Sequence, residues 1–242
     1  MSHPIASYML SPHIAPLAVQ DGQLVYIGPR RKKVAIFGGR GWRTMPWDNP
    51  DWENWSLNNF WPGPQHTDRR PSCDSQGRLA ASRWWEQHNL YPDRFGPERG
   101  RIIQDEYDMK WVRSCPVPIY TTQPCPENPR VIVWPIDDFA KRYRDYFPCS
   151  FCMMIAQAID EGFEELAVHG LALLLGTKRE CTVEAAGVAY WLGLAEGRGM
   201  KITIPRDDFC LKHFARYGHE YWKERRAVEE YIASFDDRPV AV

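Results

Sequence analysis

The sequence lacks an excess of charge of either sign. Its 242 residues include 30 Lys and Arg and 31 Asp and Glu, which gives a formal net charge of −1. Nucleic acids and anionic membranes attract surfaces that carry an excess of cations. The balance of charges therefore disfavours both as partners, and it argues against a nucleic-acid-binding function through the Arg-containing loops.

The chain also has no long hydrophobic run. No stretch approaches the roughly 18 apolar residues that a membrane-spanning helix needs, and the first ten residues, MSHPIASYML, lack the charged start and apolar centre of a secretory signal. We therefore expect a cytoplasmic protein that contacts no membrane. Its seven Cys, an odd number, are then expected to be reduced thiols.

Tryptophan and proline, by contrast, are abundant, with 11 and 20 residues respectively. The Trp residues are concentrated in the first half of the chain. Such residues suit a surface that faces a ligand or a partner, and they equally suit a core with rigid loops around it. The sequence leaves both interpretations open, with the core as the more ordinary use.

The clearest structural pattern lies in residues 146–170, YFPCSFCMMIAQAIDEGFEELAVHG. Pro148 and Ser150 predict the start of a helix, with Ser150 as its cap, and Gly162 predicts its end. The apolar run 166–168 that follows predicts a short buried strand. A helix that leads into a buried strand is half of an α/β nucleotide-binding unit.

A second pattern, KKVAIFGGRGW at residues 32–42, is a strand that runs into glycines. It predicts a buried strand over 34–37, followed by a turn that contains Gly38, Gly39, Arg40 and Gly41. This is the layout that opens a nucleotide-binding fold, although it is not the full GxGxxG motif. Backbone N–H groups of such a turn suit a phosphate, and Arg40 would neutralise phosphate charge.

The patterns together predict an α/β fold, Rossmann-like, with a mostly parallel sheet and helices on both faces. Further strands are expected at 55–60, 111–112, 118–121, 131–134 and 200–204, with 81–91 as a strand or a short helix. Further helices are expected at 136–146, 182–198 and 209–235.

We divide the chain into an N-terminal extension (1–31), a nucleotide-binding domain (32–205) and a charged C-terminal helix (206–242). That helix offers a surface to a protein partner or to a second copy of the chain.

Three polar residues are candidates for the site. Asn58 is predicted at the carboxyl end of the second strand, where ligands of α/β proteins sit, although an Asn pair there also suits a turn. His88 and His169 are predicted near strand ends, and either could act as a general base. No pair of carboxylates stands out as a metal site, so we predict no bound metal.

Cys149 and Cys152 have the CxxC spacing of a redox pair, at a predicted helix start that lowers the pKa of a thiol. No thioredoxin-like setting is evident around them, so the redox interpretation ranks below the family resemblance that the same segment carries. Cys115 and Cys125 do not complete the spacing of a common zinc module.

Four segments together resemble a known family: VAIFGGRG (34–41), WDNPDWENWSLNNFW (47–61), residues 146–170, and AYWLGLAEGRGMKITIP (189–205). In this order they resemble a group of bacteriophage-associated Rossmann-like proteins. That group is related to the archaeal-type hydroxymethyl-dihydropterin diphosphokinases and, more distantly, to bacterial sialyltransferases. The resemblance implies a nucleotide-binding fold over roughly 32–205, and a host cytoplasm as the location if a phage encodes the chain.

The resemblance also implies a set of nucleotide contacts. In the sialyltransferase branch, the glycine turn, an Asn after the second strand and a Ser at the start of the long helix hold a cytidine nucleotide. The matching residues here are Gly38, Gly39, Arg40, Gly41, Asn58 and Ser150. The implied ligand is a nucleotide or a nucleotide sugar whose identity stays open.

The chain departs from the family pattern after Gly170, where Leu171 and Ala172 stand in place of an acidic residue. Two functions follow from the sequence. The first is a transferase of phage type, glycosyltransferase-like rather than a diphosphokinase, that uses a nucleotide-linked donor. The alternative is a non-catalytic Rossmann-like protein that has lost the carboxylate and binds a protein partner.

Overall fold

The structure is a computed structural model that describes residues 9–38, 41–58, 60–61, 71–88, 90, 106–171, 180–205 and 211. Its centre is a seven-stranded sheet in which every neighbouring pair of strands is parallel. The strands are β3 (Lys33–Phe37), β4 (Trp52–Leu57), β5 (Arg83–Glu86), β6 (Ile119–Thr121), β7 (Val131–Val133), β8 (Glu165–His169) and β9 (Lys201–Thr203). A separate antiparallel hairpin is formed by β1 (Leu17–Gln20) and β2 (Gln23–Tyr26).

Helices cover both faces of this sheet, which confirms the predicted Rossmann-like α/β class. Helix α1 (Glu106–Ser114) covers one face, and α2 (Ile136–Arg142), α3 (Ser150–Asp160) and α4 (Ala185–Gly197) cover the other. A 3₁₀ turn (Gly41–Arg43) follows β3, and one π-helical turn (Glu180–Glu184) leads into α4. Parallel strands need such crossovers, because a tight hairpin cannot connect them.

The core is split by the sheet into two apolar layers, because side chains alternate along each strand. Val34, Ile36 and Trp55 face the layer under α2 to α4. Ala35 and Trp84 face the layer under α1. Several Trp side chains are fully buried, which places them in the core rather than on a surface: Trp55, Trp84, Trp85, Trp111 and Trp191.

A buried ionic cluster ties the hairpin to the sheet. Arg83, fully buried, donates to Glu53 Oε1 at 2.5 Å and to both carboxylate oxygens of Glu161. It also donates to the hydroxyl of Tyr26 on β2, and that hydroxyl lies 2.9 Å from Glu161 Oε2. One guanidinium thus joins β4, β5, the end of α3 and the hairpin.

Several predicted elements differ from the structure, and the helix predicted over 136–146 ends at Arg142. Residues 111–112 are not a strand but part of α1. Met109 and Val112 are three residues apart, as on one face of a helix, and both are buried. The strand predicted over 55–60 spans Trp52–Leu57, and it ends where Asn58 adopts a left-handed φ of 47°. Within the segment 81–91, predicted as a strand or a short helix, residues Arg83–Glu86 form the strand β5.

The helix predicted from Pro148 begins at Ser150, but its cap is Cys149 and not Ser150. Cys149 has the extended backbone of an N-cap, with φ −154° and ψ 168°, and Ser150 is the first helical residue. The predicted C-terminal helix over 209–235 lies outside the described residues, apart from Leu211. No helix in the described part of the chain is long and apolar enough to span a membrane.

Candidate functional site

The strand order identifies one place in the sheet where the chain reverses its direction of winding. The order is β7-β6-β5-β4-β3-β8-β9, so the chain winds one way from β3 to β7 and then crosses to the other side of β3. Ligands of open α/β sheets bind outside the carboxyl ends of the strands, at such a switch point. The fold therefore places the candidate site at the carboxyl ends of β3 and β8.

The glycine turn after β3 packs directly on the end of β8. Gly38 N–H donates to the carbonyl oxygen of His169 at 2.8 Å, and a Cβ on Gly38 would lie 2.7 Å from the carbonyl oxygen of Gly170. A Cβ on Gly41 would overlap the carbonyl of His169. The two glycines are thus required by the close approach of two chain segments. Gly39 and Arg40, also predicted as site residues, lie outside the described residues.

Asn58 lies immediately after β4, at the same edge. Its backbone N–H donates to the carbonyl of Trp85 at 2.8 Å, and its own carbonyl accepts from the Trp84 indole at 3.0 Å. Its side-chain Oδ1 is buried, and none of the described residues donates a hydrogen bond to it. A buried acceptor is stabilised when a donor reaches it. Asn58 Oδ1 is thus a buried acceptor that has no donor among the described residues, one strand away from the switch point.

His88 lies just beyond the carboxyl end of β5 and is paired with Glu86. The distance from Glu86 Oε1 to His88 Nδ1 is 2.5 Å, and the Glu86 carboxylate also accepts from the backbone N–H of His88 at 3.1 Å. Glu86 is 2% exposed, whereas the His88 side chain is 22% exposed. A carboxylate on Nδ1 fixes the tautomer in which Nε2 is the acceptor. This is the arrangement of a general base with an orienting group.

His169, the other predicted base, occupies a different environment. It is 8% exposed, and its Nδ1 lies 3.0 Å from the hydroxyl of Thr44 in the turn after β3. His169 fixes the turn against β8, which is a positioning role at the switch point.

Glu86 and His169 project from the same face of the sheet. Trp84 and Ala167, two residues before them, both belong to the layer under α1, and residues two apart share a face of a strand. Ser150, by contrast, begins α3 on the opposite face. The sheet edge therefore brings Gly38, Asn58 and the histidines to one rim, with Ser150 approaching from the other side.

A cavity of about 410 Å³ opens beside the loop that carries His88. Gln87 and Thr122 line it from the ends of β5 and β6, and Thr122 donates to the carbonyl of His88 at 3.3 Å. Asp137 and Asp138, in the first turn of α2, also line it, and its remaining lining includes Trp134, Pro135, Lys141 and Met153. Hydrogen-bonding groups around a partly aromatic wall suit a polar organic ligand.

Sequence reasoning missed the role of Glu86. The signal was present, because Glu86 and His88 are two residues apart at a strand end and must therefore lie on one side of an extended chain. Thr44 had no such signal, since its contact with His169 spans 125 positions. No group of three or more His, Cys, Asp or Glu able to hold a metal ion occurs within the described ranges.

The chain is similar to the sialyltransferase CstII from Campylobacter jejuni in complex with the substrate analogue cytidine-5′-monophosphate. The sequence identity is 15% and the TM-score 0.39, over 73% of this chain and 81% of that chain. It is also similar to the sialyltransferase CST-II in complex with a trisaccharide acceptor and CMP, with 14% identity and a TM-score of 0.41, over 76% and 83% of the two chains. No family model and no curated protein matches the chain. At this level of identity, neither similarity identifies a residue of the site.

Proposed function

We propose that the chain is a nucleotide-binding transferase of the phage-associated type that its sequence resembles. In this proposal a sugar moves from a nucleotide-linked donor to a hydroxyl group of an acceptor. The observation that carries the proposal is the Glu86–His88 pair at the carboxyl edge of a parallel sheet. A buried carboxylate beside a more exposed imidazole is the arrangement that general-base catalysis needs.

The proposed reaction divides the rim between donor and acceptor. The nucleotide phosphate lies at the turn after β3, and Arg40 neutralises charge as the nucleotide leaves. Asn58 Oδ1 accepts a hydrogen bond from the nucleotide, which gives the buried acceptor its partner. Ser150 contributes from the start of α3.

The acceptor then binds beside His88, at the carboxyl end of β5. Its reacting hydroxyl lies at His88 Nε2, which takes the hydroxyl proton as the new glycosidic bond forms. Two strand spacings, about 10 Å, separate β3 from β5, so the donor extends along the rim between the two parts.

The first experiment is a thermal-shift screen of the purified protein with nucleoside mono- and diphosphates, nucleotide sugars and ATP, each with and without magnesium. A ligand that binds the native state raises the melting temperature by mass action. We expect one nucleotide class to give a shift, and that class names the donor. Folded protein that shows no shift with any nucleotide would contradict the proposal.

Turnover separates the transferase from the non-catalytic alternative. Release of the nucleotide from the donor is measured with sugars as acceptors, for the wild type and for His88→Gln. The transferase predicts a rate that falls by about 10²–10⁴-fold in His88→Gln while nucleotide binding persists. Binding without turnover in the wild type would favour a Rossmann-like protein that acts through a partner. The absence of a carboxylate after Gly170 supports that alternative.

A further inference from the structure

Cys149 and Cys152 lie together at the start of α3, and the proposed transfer reaction uses neither of them. Their Sγ atoms are 3.6 Å apart. Cys149 is the N-cap residue, on extended backbone, and Cys152 lies in the first turn with its side chain buried. A move of each sulfur by less than 1 Å brings the pair to the length of a disulfide bond, about 2.05 Å.

The two thiols are not equivalent. The Cys152 thiol donates toward Cys149, and this contact is the main cause that lowers the pKa of Cys149 below the usual value of a thiol. The backbone N–H groups of Cys152 and Phe151 act in the same direction, whereas burial and the carboxylate of Glu184 oppose them. The pKa of Cys152 is raised, first by its hydrogen bond to Cys149 and then by burial. Cys149 is also the more exposed of the two.

The surroundings hold the pair in this geometry. The first turn of α3 packs against α4, where a Cβ on Gly187 would meet Pro148 and would lie 3.0 Å from Cys152 Sγ. Phe147, just before the pair, stacks on Trp191 with the ring centroids 4.9 Å apart. The backbone on both sides of the pair is therefore anchored, which keeps the two sulfurs within bonding reach.

We propose that Cys149 and Cys152 form a redox-active dithiol whose substrate is a low-molecular-weight disulfide. The Cys149 thiolate attacks one sulfur of that disulfide, which forms a mixed disulfide at Cys149 and releases one thiolate. Cys152 then loses its proton to solvent and attacks Cys149 Sγ, which closes the Cys149–Cys152 bond and releases the second thiolate. The dithiol loses two electrons, and the small disulfide is reduced to two thiols.

The test is equilibration of the full chain in glutathione buffers of rising disulfide content, followed by acid quenching, alkylation and peptide mass spectrometry. We expect a peptide that links Cys149 to Cys152, formed in a two-electron transition, while the buried Cys73, Cys115 and Cys125 remain as thiols. An oxidised chain that lacks this link, or that links either residue to another cysteine, would overturn the proposal.

Single variants test the division of roles, after circular dichroism has shown that they are folded. With glutathione disulfide, Cys152→Ser is expected to keep a stable glutathione adduct on Cys149, whereas Cys149→Ser is expected to react at Cys152 at least about tenfold more slowly. Cys152→Ser retains a hydroxyl donor and Cys152→Ala does not, so alkylation of Cys149 at pH 7 is expected to be faster in the Ser variant. Equal reactivity at the two positions would contradict the assignment of Cys149 as the attacking residue. None of these results depends on nucleotide binding.

Discussion

The carboxylate of Glu86 accepts both from Nδ1 of His88 and from the backbone N–H of the same residue, at 2.5 and 3.1 Å. Two hydrogen bonds to one oxygen fix the position of the ring as well as its tautomer. Glu86 is buried and His88 is partly exposed, so a ligand can reach the imidazole but not the carboxylate.

Removal of the Glu86 acceptor is expected to release the tautomer of His88. Glu86→Met keeps the side-chain size but cannot accept from Nδ1, so the neutral ring is expected to populate the Nε2–H form. Nitrogen-15 spectra of the ring, assigned with His88→Gln, measure the two forms. Glu164→Gln, at an exposed position, is the control and should leave the spectrum of His88 unchanged. A ring that already favours Nε2–H in the wild type would contradict the assigned base.

The buried Arg83 cluster predicts a large loss of stability. Arg83→Met leaves the carboxylates of Glu53 and Glu161 without their guanidinium, and uncompensated buried charge costs about 3–5 kcal/mol of unfolding free energy. The matched control is Lys32→Met, because the Lys32–Glu164 pair is largely exposed and is expected to contribute no more than about 1 kcal/mol. Urea unfolding measures both. A similar loss of unfolding free energy in the two variants would contradict a large contribution of the Arg83 cluster to stability.

The same cluster predicts a dependence of stability on pH. Burial works against ionisation of Glu161, but the charge of Arg83 and hydrogen bonds from Arg83, Gln157 and Tyr26 hold its pKa below the usual range. A carboxyl group with a lowered folded-state pKa stabilises the fold above the unfolded value, about 4.3 for Glu, and loses this contribution as the pH falls through the folded value. The unfolding free energy is therefore expected to fall below about pH 5, and less steeply in Glu161→Gln. Parallel acid profiles for the wild type and Glu161→Gln would contradict this account.

Two Gly→Ala variants are expected to change stability in opposite directions, because only one of the glycines packs against β8. Gly41→Ala places a Cβ against the carbonyl of His169, and such overpacking costs about 1–3 kcal/mol or more. Gly193→Ala lies within α4, where nothing is within 4 Å of the new Cβ, and it is expected to stabilise the helix by about 0.5–1 kcal/mol. Thermal unfolding of both variants checks the pair. Gly41→Ala with wild-type stability would contradict the close packing at the switch point.

Most of the fold could be predicted because its strands are short apolar runs with clear ends. Residues 34–37 stop at glycines, and residues 166–168 follow a helix that ends at Gly162. The strand prediction for 111–112 was wrong because two apolar neighbours suit a strand and a helix equally. The Arg83–Glu161 pair joins residues 78 positions apart, and no local pattern announces it.

The site was predictable to the extent that chain topology determines it. Residues that follow parallel strands share one edge, so Gly38, Asn58 and His88 could be assigned to it from the sequence. The side of the sheet on which a residue lies depends on tertiary packing, so the positions of Ser150 and His169 on opposite sides could not be predicted. The contact between Cys149 and Cys152 followed from spacing, but their unequal environments did not.

Nucleotide binding at Asn58 tests the central claim most directly. Asn58→Gly removes the carboxamide while it tolerates the positive φ of this position, so the backbone is retained. Asn49→Gly makes the same change at an exposed position before β4, at the other end of the strand. Isothermal titration with the nucleotide that gives the largest thermal shift compares both with the wild type. We predict that Asn58→Gly weakens binding at least tenfold, or about 1.4 kcal/mol, and that Asn49→Gly leaves it unchanged. Equal affinity in the three folded proteins would contradict a nucleotide site at this edge of the sheet.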